Sequence, residues 1–269
     1  MGRKLNSESN RNSTGRIAAL DILRGVTILS MIAYHTCWDL VYIAGKDWPW
    51  YRGTGAFLWQ QSICWTFILL AGFCAALGKR TFRRGLTVFA CGVIVSLATL
   101  LVMPESPIIY GVLTLHGSSM ILVALLQRAG LLADVSRRAM IWLAVSAVFF
   151  AVTYPVSMGY LGFFQKCIIP LPRWLYVNPL SSFTTYLGFT EPGFISSDYF
   201  PLIPWFFLFL CGYFAGVLWK QRVAQPSMNS AIEKSLPVRC LGFLGRHSLL
   251  IYMLHQPIIY GVVWLLYLR

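Results

Sequence analysis

Four ionisable side chains, Asp21, Arg24, His35 and Asp39, lie in the otherwise apolar stretch RIAALDILRGVTILSMIAYHTCWDL from Arg16 to Leu40. With about 100° of rotation per helical residue, Arg24, His35 and Asp39 all fall within roughly 60° of Asp21, so the four share one stripe. Charged groups at bilayer depth cost about 2.5–3.5 kcal/mol each on insertion scales, so this stripe is expected to face protein or a water-filled cavity. The residue types offer definite chemistry. A neutral imidazole is a general base near neutral pH. Asp39, one turn beyond His35, is spaced to orient that ring and stabilise its imidazolium. A guanidinium such as Arg24 clamps carboxylates and phosphates through a planar fork. A structural account uses the same spacing: Asp21 with Arg24 at i, i+3 and His35 with Asp39 at i, i+4 are intrahelical pairs.

Three further histidines and one aspartate stand where they could contribute. His116 lies inside a later apolar stretch, His247 opens the last one and His255 lies two turns farther in. Taken singly, each could do no more than bond a nearby backbone carbonyl. Asp198, in SSDYFPLIPW, stands just before another apolar stretch, where it could bind acceptor hydroxyls or cap the following helix, whose N-terminus favours a carboxylate. No metal site is expected, because there is no HExxH, no histidine pair at i, i+4, and only 9 acidic residues. The sequence also lacks the glycine patterns of phosphate loops and the G-x-S-x-G of nucleophile elbows.

Positioning these groups falls to membrane helices. Of 269 residues 57% are hydrophobic and 12% charged, where a soluble domain carries roughly 25% charged. Hydropathy predicts an all-α, polytopic membrane helix bundle of about seven transmembrane helices, near 17–40, 56–77, 85–103, 108–127, 139–158, 201–219 and 247–267. The net charge of +13 comes from basic clusters between these spans, which fits positive-inside topology and excludes a nucleic-acid face as its reason. Sixteen Lys and Arg side chains fall on the side of the N-terminus and five on the other. That bias predicts a cytoplasmic N-terminus and an outward C-terminus, in a multi-pass protein of the cytoplasmic membrane. Residues 1–15 read as a polar basic tail and 16–269 as one membrane domain, with the first helix retained. Seven cysteines form no C-x-x-C pair and read as small residues of membrane helices.

Two connections exceed simple turns. Residues 159–200 contain Pro170, Pro172, Pro179 and Pro192 among many aromatics, so they cannot form one straight helix. They are expected to lie in the interface, to cap a cavity, or to form a plain loop. Residues 220–240 read as a Pro-punctuated cytoplasmic linker. Gly212 and Gly216 form a G-x-x-x-G helix contact.

Arg24 followed by ten residues and then His35 resembles the Arg-x10-His signature of the acyltransferase family 3 enzymes, and GRHSLLIYMLHQPII from Gly245 to Ile259 is similar to their last-helix pattern. More closely, LDILRGVTILSMIAYH, FILLAGF, YGVLTLHGSSMIL and DYFPLIPWFFLFLCGY, in that order, resemble bacterial membrane proteins related to the heparan-alpha-glucosaminide N-acetyltransferase catalytic domain.

The resemblance implies transfer of an acyl group, acetyl above all, from acetyl-CoA or another acyl-CoA to a sugar hydroxyl or amine of a glycan or glycolipid at or across the bilayer. On that reading His35 and Asp39 are catalytic, Arg24 and Asp21 bind the donor, and Asp198, His116 and His255 bind the acceptor. Both direct general-base transfer and a covalent acyl-histidine remain open. Arg24 and His35 are separated by about 16.5 Å of helix rise, comparable to an extended pantetheine arm. The chain departs from the pattern in two places. The segment GKDWPWYRGTGAFLWQQ has no histidine where the eukaryotic enzymes carry one, and Thr114 stands where many relatives have histidine, with His116 two residues later and about 200° around the helix. The alternative from another class is a small-solute transporter whose path is lined by the polar stripe of the first span.

Overall fold

The structure is a computed structural model that describes residues 18–132, 137–163, 166–222 and 235–267. The expected tail at 1–15 and most of the expected linker lie outside these residues. The described chain is an all-α membrane helix bundle with one small hairpin. Its helices are α1 (Ala18–Tyr42), α2 (Thr54–Leu77), α3 (Thr81–Val102), α4 (Val112–Arg128), α5 (Ala139–Thr153), α6 (Ser181–Leu187), α7 (Leu202–Arg222), α8 (Leu236–Arg246) and α9 (Ser248–Tyr267). Each expected span has its helix. Six are long and apolar enough to cross a membrane, α5 counting with the 3-10 turn that continues it to Met158, whereas α4 has 17 residues.

α1 carries the polar stripe as expected. Asp21 and Asp39 are buried while Leu23, Val26 and Leu29, on the opposite arc, are exposed, the orientation that spares the charges from lipid. The helix ends where Ala44 N–H bonds the Asp39 carbonyl and Lys46 N–H bonds that of Leu40 around Gly45, whose φ of 68° is left-handed. The loop that follows folds back over this end of α1. Tyr51 is buried and its hydroxyl donates to the Tyr34 carbonyl at 2.9 Å, while from the first turns of α2 Trp59 Nε1 donates to Ser30 Oγ, midway along α1, at 2.8 Å.

α2 packs on α7, α7 on α5 and α3 on α4, around a core that includes Ile68, Leu115, Val123, Trp205, Phe209 and Tyr213. The G-x-x-x-G contact is real: Gly212 lies against the Leu69 backbone and Gly216 against that of Phe73, while Gly72 of α2 lies against Phe209. The backbones approach so closely that a Cβ at Gly72 or Gly212 would collide.

The connection at 159–200 is an antiparallel hairpin, β1 (Tyr160–Phe163) with β2 (Lys166–Pro170), followed by a 3-10 turn and α6. It is tied down on α4 and the segment that leads into it: Tyr186 hydroxyl donates to Ser118 Oγ of α4, and Ser196 bonds the backbone of Ile109, just before α4, through both its acceptor and donor. Tyr199 donates to the Thr185 carbonyl at 2.6 Å, and burial pushes its phenol up to about 12.

The expected linker needs one correction. From Leu236 the chain is already helical, with Pro237 in the first turn where its missing N–H costs nothing. α8 lies along α1, with Gly25 against the Leu241 carbonyl and Gly245 against that of Asp21. Hydropathy passed over α8 because it is amphipathic and too short to span.

Candidate active site

The polar stripe meets α9 at its far end. His35 and His255 face each other with ring centroids 4.9 Å apart and planes at 61°. Gln256 Nε2 donates to Asp39 Oδ1 at 2.8 Å. Asp39 is therefore held by α9, and the expected Asp39–His35 hydrogen bond is replaced by a contact between helices.

The tautomer of His255 follows from its surroundings. Its Nδ1 lies 2.6 Å from the Tyr252 carbonyl oxygen, which can only accept, so Nδ1 carries the proton and Nε2 of the neutral ring presents its lone pair. That Nε2 is buried without a partner, as are Asp39 Oδ2 and Gln256 Oε1. Around His35 there are thus three enclosed acceptors with no donor among the described residues. Pro257 follows directly inside α9 and, lacking an N–H, cannot make the usual bond back to the Met253 carbonyl.

The near end of the stripe is arranged differently. Arg24 Nη1 donates to Asp21 Oδ1 at 3.3 Å and Nη2 contacts Cys74 Sγ on α2 at 2.6 Å. Its guanidinium is thus braced between α1 and α2, and the i, i+3 ion pair of the structural account exists. On the α8 side of Asp21 a groove of about 830 Å³ runs between α1 and α8, lined by Asp21, Ile22, Arg239, Cys240, Phe243 and Arg246 among others.

Asp198 belongs to neither end. Its Oδ2 accepts the Val112 N–H at 3.1 Å, which caps α4 instead of the following helix α7, and the Tyr252 hydroxyl also reaches it. A carboxylate at this N-terminus meets both the free N–H and the helix dipole. Burial pushes the Asp198 carboxyl up to about 6, although Val112 and Tyr252 favour its ionised form. Gly111 is required here, because a Cβ would stand 2.7 Å from Asp198 Oδ2. Tyr252 therefore joins Asp198 through its hydroxyl to His255 through its carbonyl. His116 is not drawn into this group; its Nε2 is buried without a partner inside α4.

Of the residues singled out from the sequence, His35, Asp39 and His255 converge, Asp21 and Arg24 pair at the other end of α1, and Asp198 supports the cluster through Tyr252. Gln256 and Tyr252, which bond members of this cluster, were not singled out from the sequence. A polar side chain in an otherwise apolar span, such as Gln256 in YMLHQPII, was the available signal for the first. No group of three or more metal-ligating side chains occurs among the described residues.

Residues 16–257 match a family model described as "Heparan-alpha-glucosaminide N-acetyltransferase, catalytic". No curated protein and no solved structure matches the chain.

Proposed function

The chain belongs to the heparan-alpha-glucosaminide N-acetyltransferase catalytic family, and from that premise we propose that it moves an acetyl group from acetyl-CoA to a sugar hydroxyl or amine of a membrane glycan or glycolipid. The observation that carries the reading is the set of unpartnered acceptors beside His35: Asp39 Oδ2, Gln256 Oε1 and His255 Nε2. An unmade hydrogen bond costs about 1–3 kcal/mol for each enclosed group, and the ligand that removes such a cost is rich in donors. A sugar hydroxyl or amine is such a ligand.

In the proposed step His35 takes the proton of the acceptor hydroxyl or amine as that atom attacks the thioester carbonyl. The C–S bond breaks, and the thiolate of CoA leaves and takes up a proton. Asp39, held by Gln256, and His255, held by the Tyr252 carbonyl, position the acceptor. Asp21 and Arg24 mark the donor's end of α1, cytoplasmic by the positive-inside rule. The donor therefore enters from inside, and the acceptor approaches His35 from the outer half.

The test is labelled acetyl-CoA incubated with the purified protein and a panel of glycolipids and membrane glycans. Label is expected on the sugar in a His35-dependent manner. Wild-type protein that binds no CoA and transfers no label overturns the reading.

A further inference from the structure

The groove between α1 and α8 is lined by none of the residues clustered at His35, and it is of cofactor size, about 830 Å³, within the 300–1,000 Å³ typical of small-molecule sites. Its walls are mostly apolar, from Ile22, Leu236, Val238 and Phe243, and its charged groups are Asp21, Arg239 and Arg246. Asp21 is already paired with Arg24. Neither Arg239 nor Arg246 has a carboxylate within ion-pair distance among the described residues.

On α8 the two arginines are seven residues apart, so they lie on one face, separated by about 10 Å of helix rise. Between them on that face is Gly242, and Arg246 Nη1 would lie 3.5 Å from a Cβ there. The Arg246 guanidinium thus folds back along α8 toward Gly242. The groove therefore offers two separated cationic forks above an apolar floor. That pattern suits a ligand with two phosphate-bearing positions and a flat apolar ring.

We propose that this groove binds the 3′-phosphoadenosine diphosphate end of acyl-CoA, with Arg239 and Arg246 on its phosphates and the adenine against Phe243 and the aliphatic wall. The proposal rests on the acyl-CoA reading above and gives the donor a seat. From Asp21 in the groove to His35 the rise along α1 is about 21 Å, so an extended pantetheine arm anchored here points its thioester along the stripe toward the cluster. Arg24, braced by Asp21 and Cys74, stands beside that route.

The groove contains its own reporter, Cys240, which is exposed, while Cys167 on β2 is exposed elsewhere and serves as the internal control. In the detergent-solubilised full chain, maleimide labelling of both is followed by mass spectrometry with CoA, adenosine 3′,5′-bisphosphate or pantetheine. CoA and the bisphosphate are expected to slow labelling of Cys240 and leave Cys167 unchanged, and pantetheine to protect neither. Arg239→Gln and Arg246→Gln are each expected to weaken CoA binding about tenfold without changing pantetheine binding. CoA that binds wild type while Cys240 stays unprotected and both variants keep full affinity overturns the groove assignment and leaves the acyltransferase reading standing. Absence of CoA binding to wild type overturns both. Protection of Cys240 by anionic phospholipid that CoA does not compete away assigns the arginines to a lipid headgroup and overturns the proposal.

Discussion

Gln256 Nε2 donates to Asp39 Oδ1 at 2.8 Å, joining the first and last helices across 217 residues of sequence. The bond fixes the buried carboxylate on α1 to the turn of α9 that carries His255. It therefore sets how the two helices meet and where the imidazoles of His35 and His255 come together.

Removing that donor leaves the Asp39 carboxyl enclosed with no partner. Gln256→Leu is expected to lower stability by about 1–3 kcal/mol, and Gln256→Asn, with a shorter reach, to recover only part. Thermal unfolding of the purified protein measures this, and equal midpoints for Gln256→Leu and wild type would remove the bond from the packing of α1 on α9.

His35 and His255 should separate in kinetics. His35→Ala is expected to lower kcat by about 10²–10⁴-fold while CoA affinity is kept, as for loss of a general base. His255→Ala is expected to raise KM for the acceptor more than it lowers kcat. Steady-state rates with both substrates varied test the division, and a kcat unaffected by His35→Ala refutes it.

Asp198 predicts a pH dependence of stability. Its folded pKa, pushed up to about 6 by burial, exceeds the 3.8 of an ordinary aspartate, so between these values the folded state holds the extra proton. The stabilisation is complete below about 4 and is lost as pH rises through about 6. Asp198→Asn keeps an acceptor for Val112 N–H and removes the titration. Its unfolding midpoint should be flatter than that of wild type from pH 4 to 7, and identical slopes would count against the buried carboxyl.

The α2–α7 contact tolerates no side chain at Gly72, which meets the Phe209 backbone. Gly72→Val is expected to cost about 1–3 kcal/mol or more, visible as a lower unfolding temperature. Gly55, with open space around its Cβ position, should accept alanine with little change.

Orientation can be read from the chain's own cysteines. Cys240 on α8 and Cys167 on β2 are both exposed. With an inward N-terminus, a membrane-impermeant maleimide added to intact cells should label Cys167 and spare Cys240 until the membrane is opened. The reverse pattern would invert the topology and put the groove on the outer side.

Hydropathy and helical rotation depend only on residue order, so the spans, the polar stripe of α1 and its separation into an Asp21–Arg24 end and an imidazole end were legible without any coordinates. Residue order also marked His255 in the last span. Which side chains become partners depends on packing between distant segments. Asp39 is spaced to serve His35 on its own helix, yet it is Gln256 of α9 that bonds it. Asp198 stands next to α7 in sequence and caps α4 in space. α8, too short and too polar for a hydropathy signal, becomes one wall of a groove because Gly25 and Gly245 let it lie directly on α1. These outcomes depend on how closely helix backbones approach and on which polar groups are left without water, quantities that arise only when distant segments pack together.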